Sequence, residues 1–382
     1  MTLIKSISGI RGTIGGKPGD NLTPIDAVKF AAAYGIWLKG YSKKEKLKVV
    51  VGRDARLSGA MVQNLVVNTL VGLGIDIIDL DLSTTPTVEI AVPLENADGG
   101  IILTASHNPK QWNALKLLNE KGEFLNAAEG ALILEIAEKE DFTFADLGSV
   151  TRNDSYIDIH IDEVLNLSLV DADTIRKAKF KVVVDGVNST GGIAIPKLLK
   201  ELGVEVVELY CDPTGHFPHN PEPLKEHLGD ICDLVIKEKA DFGLVVDPDV
   251  DRLAFISNDG EMFGEEYTLV ACADYVLGKT KGNTVSNLSS SRALRDISEK
   301  HGGTYEASAV GEYQDEGKQC GTALFLMLMA ENGGTVADLR ASYPSYFMSK
   351  KKIQLTPGLD VDGILVAMAD KYKDEEFLLL ME

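Results

Sequence analysis

The 382-residue chain has room for two to four domains, and with 45% hydrophobic and 25% charged residues it reads as globular with sizeable cores. Its net charge of −20 speaks against nucleic acid or an anionic membrane as a partner, although Arg and Lys gathered in a cleft could still hold an anionic substrate. Four scattered cysteines (Cys211, Cys232, Cys272, Cys320) without a C-x-x-C spacing fit neither a zinc site nor a disulfide framework, and predict a reduced, cytoplasmic chain.

In chain order, the first twelve residues carry Lys5 and Arg11 and lack the apolar stretch of a signal peptide. The valine run Lys48–Gly52 predicts a buried strand. A polar turn (Arg53–Gly59), a helix over Ala60–Leu73, Gly74 and a second strand over Ile75–Leu82 follow it. Gly100–Thr104 is another apolar strand, with Ser106 just past its end. Residues 148–156 have the composition of a linker. Lys181–Val184 then restarts the earlier order, with the turn Asp185–Gly192, a helix through Leu202, Gly203 and a strand over Val204–Leu209. Phe242–Val246 is a further apolar strand. A weaker third copy runs from Thr284–Leu288 through Ser289–Ser291, a helix over Arg292–His301, Gly302–Gly303 and the strand Thr304–Ala309.

Strand, polar turn, helix, glycine, strand is a βαβ unit with a parallel pair, and three copies predict three related α/β domains. The helix Gly321–Asn332 contains the longest apolar run, Ala323–Ala330, which is too short to span a bilayer. Breaks near 148–156, at Asn258–Gly260 and near Tyr343–Ser345 divide the chain into 1–150, 151–257, 258–345 and a short remainder, 346–382. Ligands of such folds bind beyond the C-terminal ends of the strands, so the polar turns point at a cleft.

Two strings carry chemistry. Thr104-Ala105-Ser106-His107-Asn108-Pro109 places one hydroxyl at the end of a strand, among polar neighbours that include Lys110, Asn113 and Lys116. Alone it is equally a Ser/Asn/Pro turn, because a free serine is a poor nucleophile without an activating charge. Asp247-Pro248-Asp249-Val250-Asp251-Arg252 offers three carboxylates at a spacing of two. In an extended segment these face one side, and their repulsion calls for a cation. All-oxygen donors favour Mg²⁺ or Ca²⁺ over zinc. An EF-hand does not fit, since its sixth position would be Arg252 and its twelfth Asn258. Together the strings suggest phosphoryl transfer, because a phosphoserine beside three aspartates needs a divalent ion between them.

On these strings, with Ser8-Gly9-Ile10-Arg11-Gly12, Gly52-Arg53-Asp54-Ala55-Arg56, Thr85-Pro86, Asn113, Lys116, Asp185-Gly186 and Gly191-Gly192, the chain resembles the α-D-phosphohexomutases as far as about Pro344. The resemblance implies three related mixed α/β domains around a cleft, plus the start of a fourth α+β domain. It implies a phosphoserine at Ser106 and Mg²⁺ held by Asp247, Asp249, Asp251 and the phosphate on Ser106. Arg11 and Lys116 would act around the transferring phosphoryl, with His107 beside the serine, and Arg252 and Asn108 would orient the phosphoserine loop and substrate. It further implies a hexose or hexosamine phosphate substrate, phosphoglucosamine foremost, primed by a hexose 1,6-bisphosphate, with no nucleic-acid or membrane partner.

The first three divisions would then carry the phosphoserine loop, the metal loop and sugar recognition, and the last a partial phosphate-binding domain. The chain departs from that pattern at two places. Val310-Gly311-Glu312 runs almost at once into the helix at Gly321, where the family has a sugar-binding loop, and the fourth domain stops at Glu382. Both gaps fall on elements that hold the sugar, so an impaired activity is expected.

Overall fold

The computed structural model describes residues 1–6, 9–144, 147–264, 266–308, 318–346 and 359–371. The first unit contains strands β1 (Ile4–Ser6) and β2 (Gly9–Thr13), helix α1 (Pro24–Tyr41), β3 (Lys48–Arg53), α2 (Gly59–Gly72), β4 (Asp76–Leu82), α3 (Thr85–Leu94), β5 (Gly99–Leu103), β6 (Trp112–Leu118), α4 (Ala127–Lys139) and β7 (Val150–Arg152). The second contains α5 (Tyr156–Leu165), α6 (Ala172–Ala178), β8 (Lys181–Asp185), α7 (Gly191–Glu201), β9 (Glu205–Leu209), α8 (Gly229–Glu238), β10 (Phe242–Val246) and β11 (Leu253–Ser257). Then follow α9 (Tyr267–Lys279), β12 (Thr284–Asn287), α10 (Ala293–Lys300), β13 (Tyr305–Ser308), α11 (Lys318–Asn332), α12 (Val336–Ser342) and α13 (Val361–Lys371).

The three expected repeats are present as parallel pairs: β3 with β4 around α2, β8 with β9 around α7, and β12 with β13 around α10. The first sheet runs β1-β2-β6-β5-β3-β4-β7 and the second β11-β10-β8-β9. The central strands of each are buried on both faces, which explains why β3, β8 and β10 read as unbroken apolar runs rather than alternating ones. Part of the segment with linker composition is not a linker. Val150–Arg152 adds to the edge of the first sheet as β7, parallel to β4.

Helix termini are fixed by local chemistry. Thr23 and Asp26 form a capping box ahead of α1, with Pro24 in the first turn, so the helix starts where its first free N–H groups find acceptors. Thr84 caps α3 by its side chain alone, accepting from the Thr87 N–H, with Pro86 in the first turn. On one face of the first sheet Phe30, Tyr34, Val66, Leu70 and Ile101 form a core, and on the other Val88, Val92 and Ile102 form a second.

The second and third units share one core. Helix α11 is apolar on all sides from Ala323 to Met329, and it is buried because it lies between the second sheet and α9. There Phe325 stacks on Phe255 with ring centres 3.8 Å apart and meets Phe242 edge-on. The two-strand sheet of the third repeat is too small to close a core alone, and this sharing supplies one.

The stretch 309–317, where the shortened sugar loop is expected, lies outside the described residues, as do 347–358 and 372–382 of the expected fourth domain. Within that last region α13 is helical. Among the described residues no helix is long and apolar enough to cross a membrane.

Candidate active site

The phosphoserine-type string forms the loop after β5, and its shape is imposed by buried hydrogen bonds. Ser106 adopts a left-handed backbone (φ +48°), uncommon for a residue with a side chain. Its N–H donates to Thr104 Oγ1 at 2.9 Å, and Thr104 in turn donates to Asp54 Oδ2 at 2.7 Å. Arg56, 1% exposed, pairs with Asp54 at 2.9 Å. Its guanidinium donates to the carbonyls of Ser106, Asn108 (2.6 Å), Pro109 (2.8 Å) and Trp112 (3.1 Å). One buried cation therefore gathers the backbone of the whole loop. The Asn108 amide donates to the Ala105 carbonyl at 2.8 Å, so this side chain shapes the turn.

The aspartate string lies between β10 and β11, and its conformation differs from the extended one expected. The segment is a tight turn: the Val250 N–H donates to the Asp247 carbonyl at 3.1 Å, and Val250 sits at φ +64°. For a β-branched residue that conformation costs of the order of 1–3 kcal/mol. The turn, not the two-residue period of a strand, brings one ligand atom of each aspartate within 4.8 Å of the others. Hydroxyls of the β8–α7 turn pin it, Ser189 and Thr190 donating to the Pro248 carbonyl at 2.7 and 2.8 Å.

The two loops meet. Ser106 Oγ lies 2.6 Å from Asp247 Oδ2 and 3.1 Å from Asp251 Oδ1. Lys116, on β6, reaches Asp249 Oδ2 and Asp251 Oδ2, both at 2.8 Å. Burial alone would depress the ammonium's pKa, but the two carboxylates outweigh it and hold the proton on. Asp247 is shifted the other way: burial first, then the charges of Asp251 and Asp249, push its carboxyl well above the usual range. Three carboxylates this close repel one another, and a cation among them removes that cost.

His107 Nδ1 is 3.3 Å from Ser106 Oγ, and its Nε2 is 3.4 Å from an Arg252 nitrogen. Arg252 can only donate, so Nε2 is the acceptor. Burial, and then Arg252, lower the His107 pKa, so the ring is neutral with its proton on Nδ1, directed at Ser106. His107 in this geometry is a donor to the serine, not its base. Arg252 also pairs with Glu222 at 3.1 Å. Arg11 on β2 stands opposite Ala114 of β6, and Lys116 is two residues on from Ala114, so Arg11 and Lys116 share one face of the sheet. The Arg11 Nε is buried without a hydrogen-bond partner among the described residues.

The chemistry of the donor set suits a hard divalent ion. Every available ligand is an oxygen, and Asp249 Oδ1 is buried and unpartnered among the described residues. Several contributors are not evident from the two strings. Arg56, Ser189 and Thr190 act through backbone carbonyls, and Glu222 pairs with Arg252. Thr85 belongs with them, donating to Asp249 Oδ2 at 2.5 Å. Arg56 and Thr85 gave a signal, as members of the strings Gly52–Arg56 and Thr85-Pro86 that carry the family resemblance.

Residues 3–144 match the phosphoglucomutase/phosphomannomutase α/β/α domain I, and residues 158–260 match domain II of the same family. The chain belongs to the α-D-phosphohexomutase family. Members of this family are isomerases that act as intramolecular phosphotransferases. A phosphoglucomutase/phosphomannomutase of Thermococcus kodakarensis is 35% identical over 331 residues, which take in 85% of this chain and 70% of that one. A probable phosphoglucosamine mutase of Methanopyrus kandleri is 28% identical over 378 residues, 91% of this chain and 80% of the relative. The chain spans 65% of a probable phosphoglucosamine mutase of Pyrococcus horikoshii, at 33% identity. In fold, a putative phosphomannomutase from Thermus thermophilus matches with a TM-score of 0.80 at 22% identity, over 89% of this chain and 83% of that one.

Proposed function

We propose that this chain interconverts hexose 6-phosphate and 1-phosphate through a phosphoryl group carried on Ser106, with Mg²⁺ held by Asp247, Asp249 and Asp251 and with glucosamine phosphate as the substrate. The observation that carries the reading is the 2.6 Å approach of Ser106 Oγ to Asp247, because it joins a nucleophile from one unit to a carboxylate cluster from another. Mg²⁺ at that cluster would neutralise the oxygens of the phosphoryl group during transfer.

The chain's own residues account for the rest. When the group leaves Ser106, the P–O bond to Oγ breaks and a bond from phosphorus to a sugar hydroxyl forms, and the proton that this hydroxyl gives up is balanced by the one Oγ gains, which leaves Ser106 as the free alcohol. The departing serine oxygen is met by the His107 Nδ1–H and faces Asp247. Lys116 is held protonated by Asp249 and Asp251 and keeps a positive charge beside the cluster during transfer. Arg56 fixes the Ser106 carbonyl, so the nucleophile keeps its place through both half-reactions. A 1,6-bisphosphate sugar formed in the first transfer returns its other phosphate in the second. The choice of glucosamine is supported by the relatives named as probable phosphoglucosamine mutases.

The test is intact mass after incubation with glucosamine 1,6-bisphosphate and Mg²⁺. One added phosphate, absent in Ser106→Ala, is expected, together with conversion of glucosamine 6-phosphate to the 1-phosphate. Release of free phosphate without isomerisation would point instead to a phosphatase-like activity. No phosphate uptake at any Mg²⁺ concentration would overturn the assignment of Ser106.

A further inference from the structure

The two oxygens of Asp249 have unlike surroundings. Oδ2 accepts from Thr85 Oγ1 at 2.5 Å and from Lys116 Nζ at 2.8 Å, whereas Oδ1 is buried and has no hydrogen-bond partner among the described residues. A carboxylate turns about a soft, roughly two-fold torsion, so without outside donors either oxygen could face either way. Donors on Oδ2 break that symmetry and leave Oδ1 for the point where the other aspartates converge.

Of the two donors, Thr85 is the one that is fixed. Its N–H donates to the Asp249 carbonyl at 2.8 Å, so the same residue grips both main chain and side chain of Asp249. It is 2% exposed, and it opens α3, whose first turn is set by the Thr84 cap and Pro86. Thr87 Oγ1 in that turn bonds to Thr84 at 2.7 Å and to His160 Nδ1 of α5 at 2.9 Å, which anchors α3 to the second unit from its other side. Lys116, by contrast, is a cation shared with Asp251, and an incoming divalent ion repels it. A neutral hydroxyl suffers no such repulsion.

We propose that Thr85 is a positioning residue for cation binding: it holds Asp249 with Oδ1 presented to the ion, so that affinity at a site built by the second unit depends on a hydroxyl from the first. This rests on the reading of the three aspartates as a divalent-cation site. It extends that reading to the seam between the units, since anything that withdraws α3 from the Asp249 turn also loosens the ligand set.

The experiment is isothermal titration calorimetry of the unphosphorylated full chain with Mg²⁺ alone. Thr85→Val keeps the branched shape and removes only the hydroxyl, and it should raise the Mg²⁺ Kd by about tenfold or more, as loss of a bond to a metal-ligating side chain does. Thr85→Ser should restore the wild-type Kd. In an Asp249→Asn background, Thr85→Val should have no further effect. Equal Mg²⁺ affinity in wild type and Thr85→Val, or an undiminished effect with Asp249→Asn, overturns the role of Thr85. No Mg²⁺ binding by the wild type overturns the cation reading beneath it. If valine prevents folding, Thr85→Ala removes the hydroxyl without adding a methyl in its place, and the same comparisons apply.

Discussion

His160 makes the junction between the first two units acid-sensitive by a calculable amount. It lies on α5, 2% exposed, with Nδ1 against Thr87 Oγ1 at 2.9 Å. Burial lowers its pKa from 6.5 to about 4. The sign follows from proton binding: below 6.5 the unfolded chain takes up a proton that the folded chain refuses, so stability present at neutral pH is lost as the pH falls toward 4. Between pH 7.5 and 4.5 that linkage amounts to about 2.5 kcal/mol.

Other buried groups are shifted as well, Asp247 upward among them, so the measurement has to be a difference. Urea unfolding of wild type and His160→Gln at pH 7.5 and 4.5 isolates it, because glutamine fills a similar volume and does not titrate. The wild type should lose about 2–3 kcal/mol more than the variant over that interval. Parallel losses in the two proteins would refute the reasoning, and would mean that His160 is as well solvated when protonated in the fold as in the unfolded chain.

Three further outcomes are expected. Asp249→Asn should weaken Mg²⁺ binding by removing one ligand charge, and unchanged affinity by calorimetry would refute its role as a ligand. Arg56→Met should destabilise the fold by about 3–5 kcal/mol, since it strands the buried Asp54 carboxylate, and should slow phosphate uptake on Ser106 measured by intact mass. His219 contributes in the opposite direction to His160. Burial works against its charge, but the 2.9 Å contact with Asp185 and the Asn220 carbonyl prevail and raise its pKa. Its stabilisation is therefore complete below about pH 6.5 and lost as the pH climbs through the raised value, which unfolding of His219→Gln and wild type at pH 6 and 9 will detect.

The strands at Val49–Val51, Val182–Val184 and Phe242–Val246 were legible because a strand buried on both faces cannot hide its apolarity. The two strings of the site were legible because nucleophile and ligands lie within a few residues of one another in each. Their mutual approach was not, since nothing local links position 106 to position 247, and the resemblance to a known family stood in for that missing distance. Val250 shows a subtler limit. A β-branched residue argues for extended chain, yet tertiary contacts to Pro248 hold it left-handed, and the aspartates converge for a reason the spacing did not contain. Residues that act through carbonyls, such as Ser189 and Thr190, leave no pattern of their own, because their partners are backbone atoms common to every sequence.

The seam between units is where folding and chemistry become one question. Ser189 Oγ accepts from the Ala55 N–H at 3.2 Å while donating to Pro248, so a single hydroxyl ties the turn that carries Arg56 to the turn that carries Asp249. Phe217, from the loop after β9, lies over the Arg56 guanidinium at 5.1 Å and shields the cation that gathers the Ser106 loop. A carboxylate cluster whose members raise one another's energy would by itself spread the turn that carries it. It persists because the hydroxyls of Ser106 and Thr85 donate to it and Lys116 neutralises part of its charge. A cation that enters therefore replaces part of a balance already struck by the protein, and the energy it relieves is available to hold the phosphoryl group where Ser106 can release it.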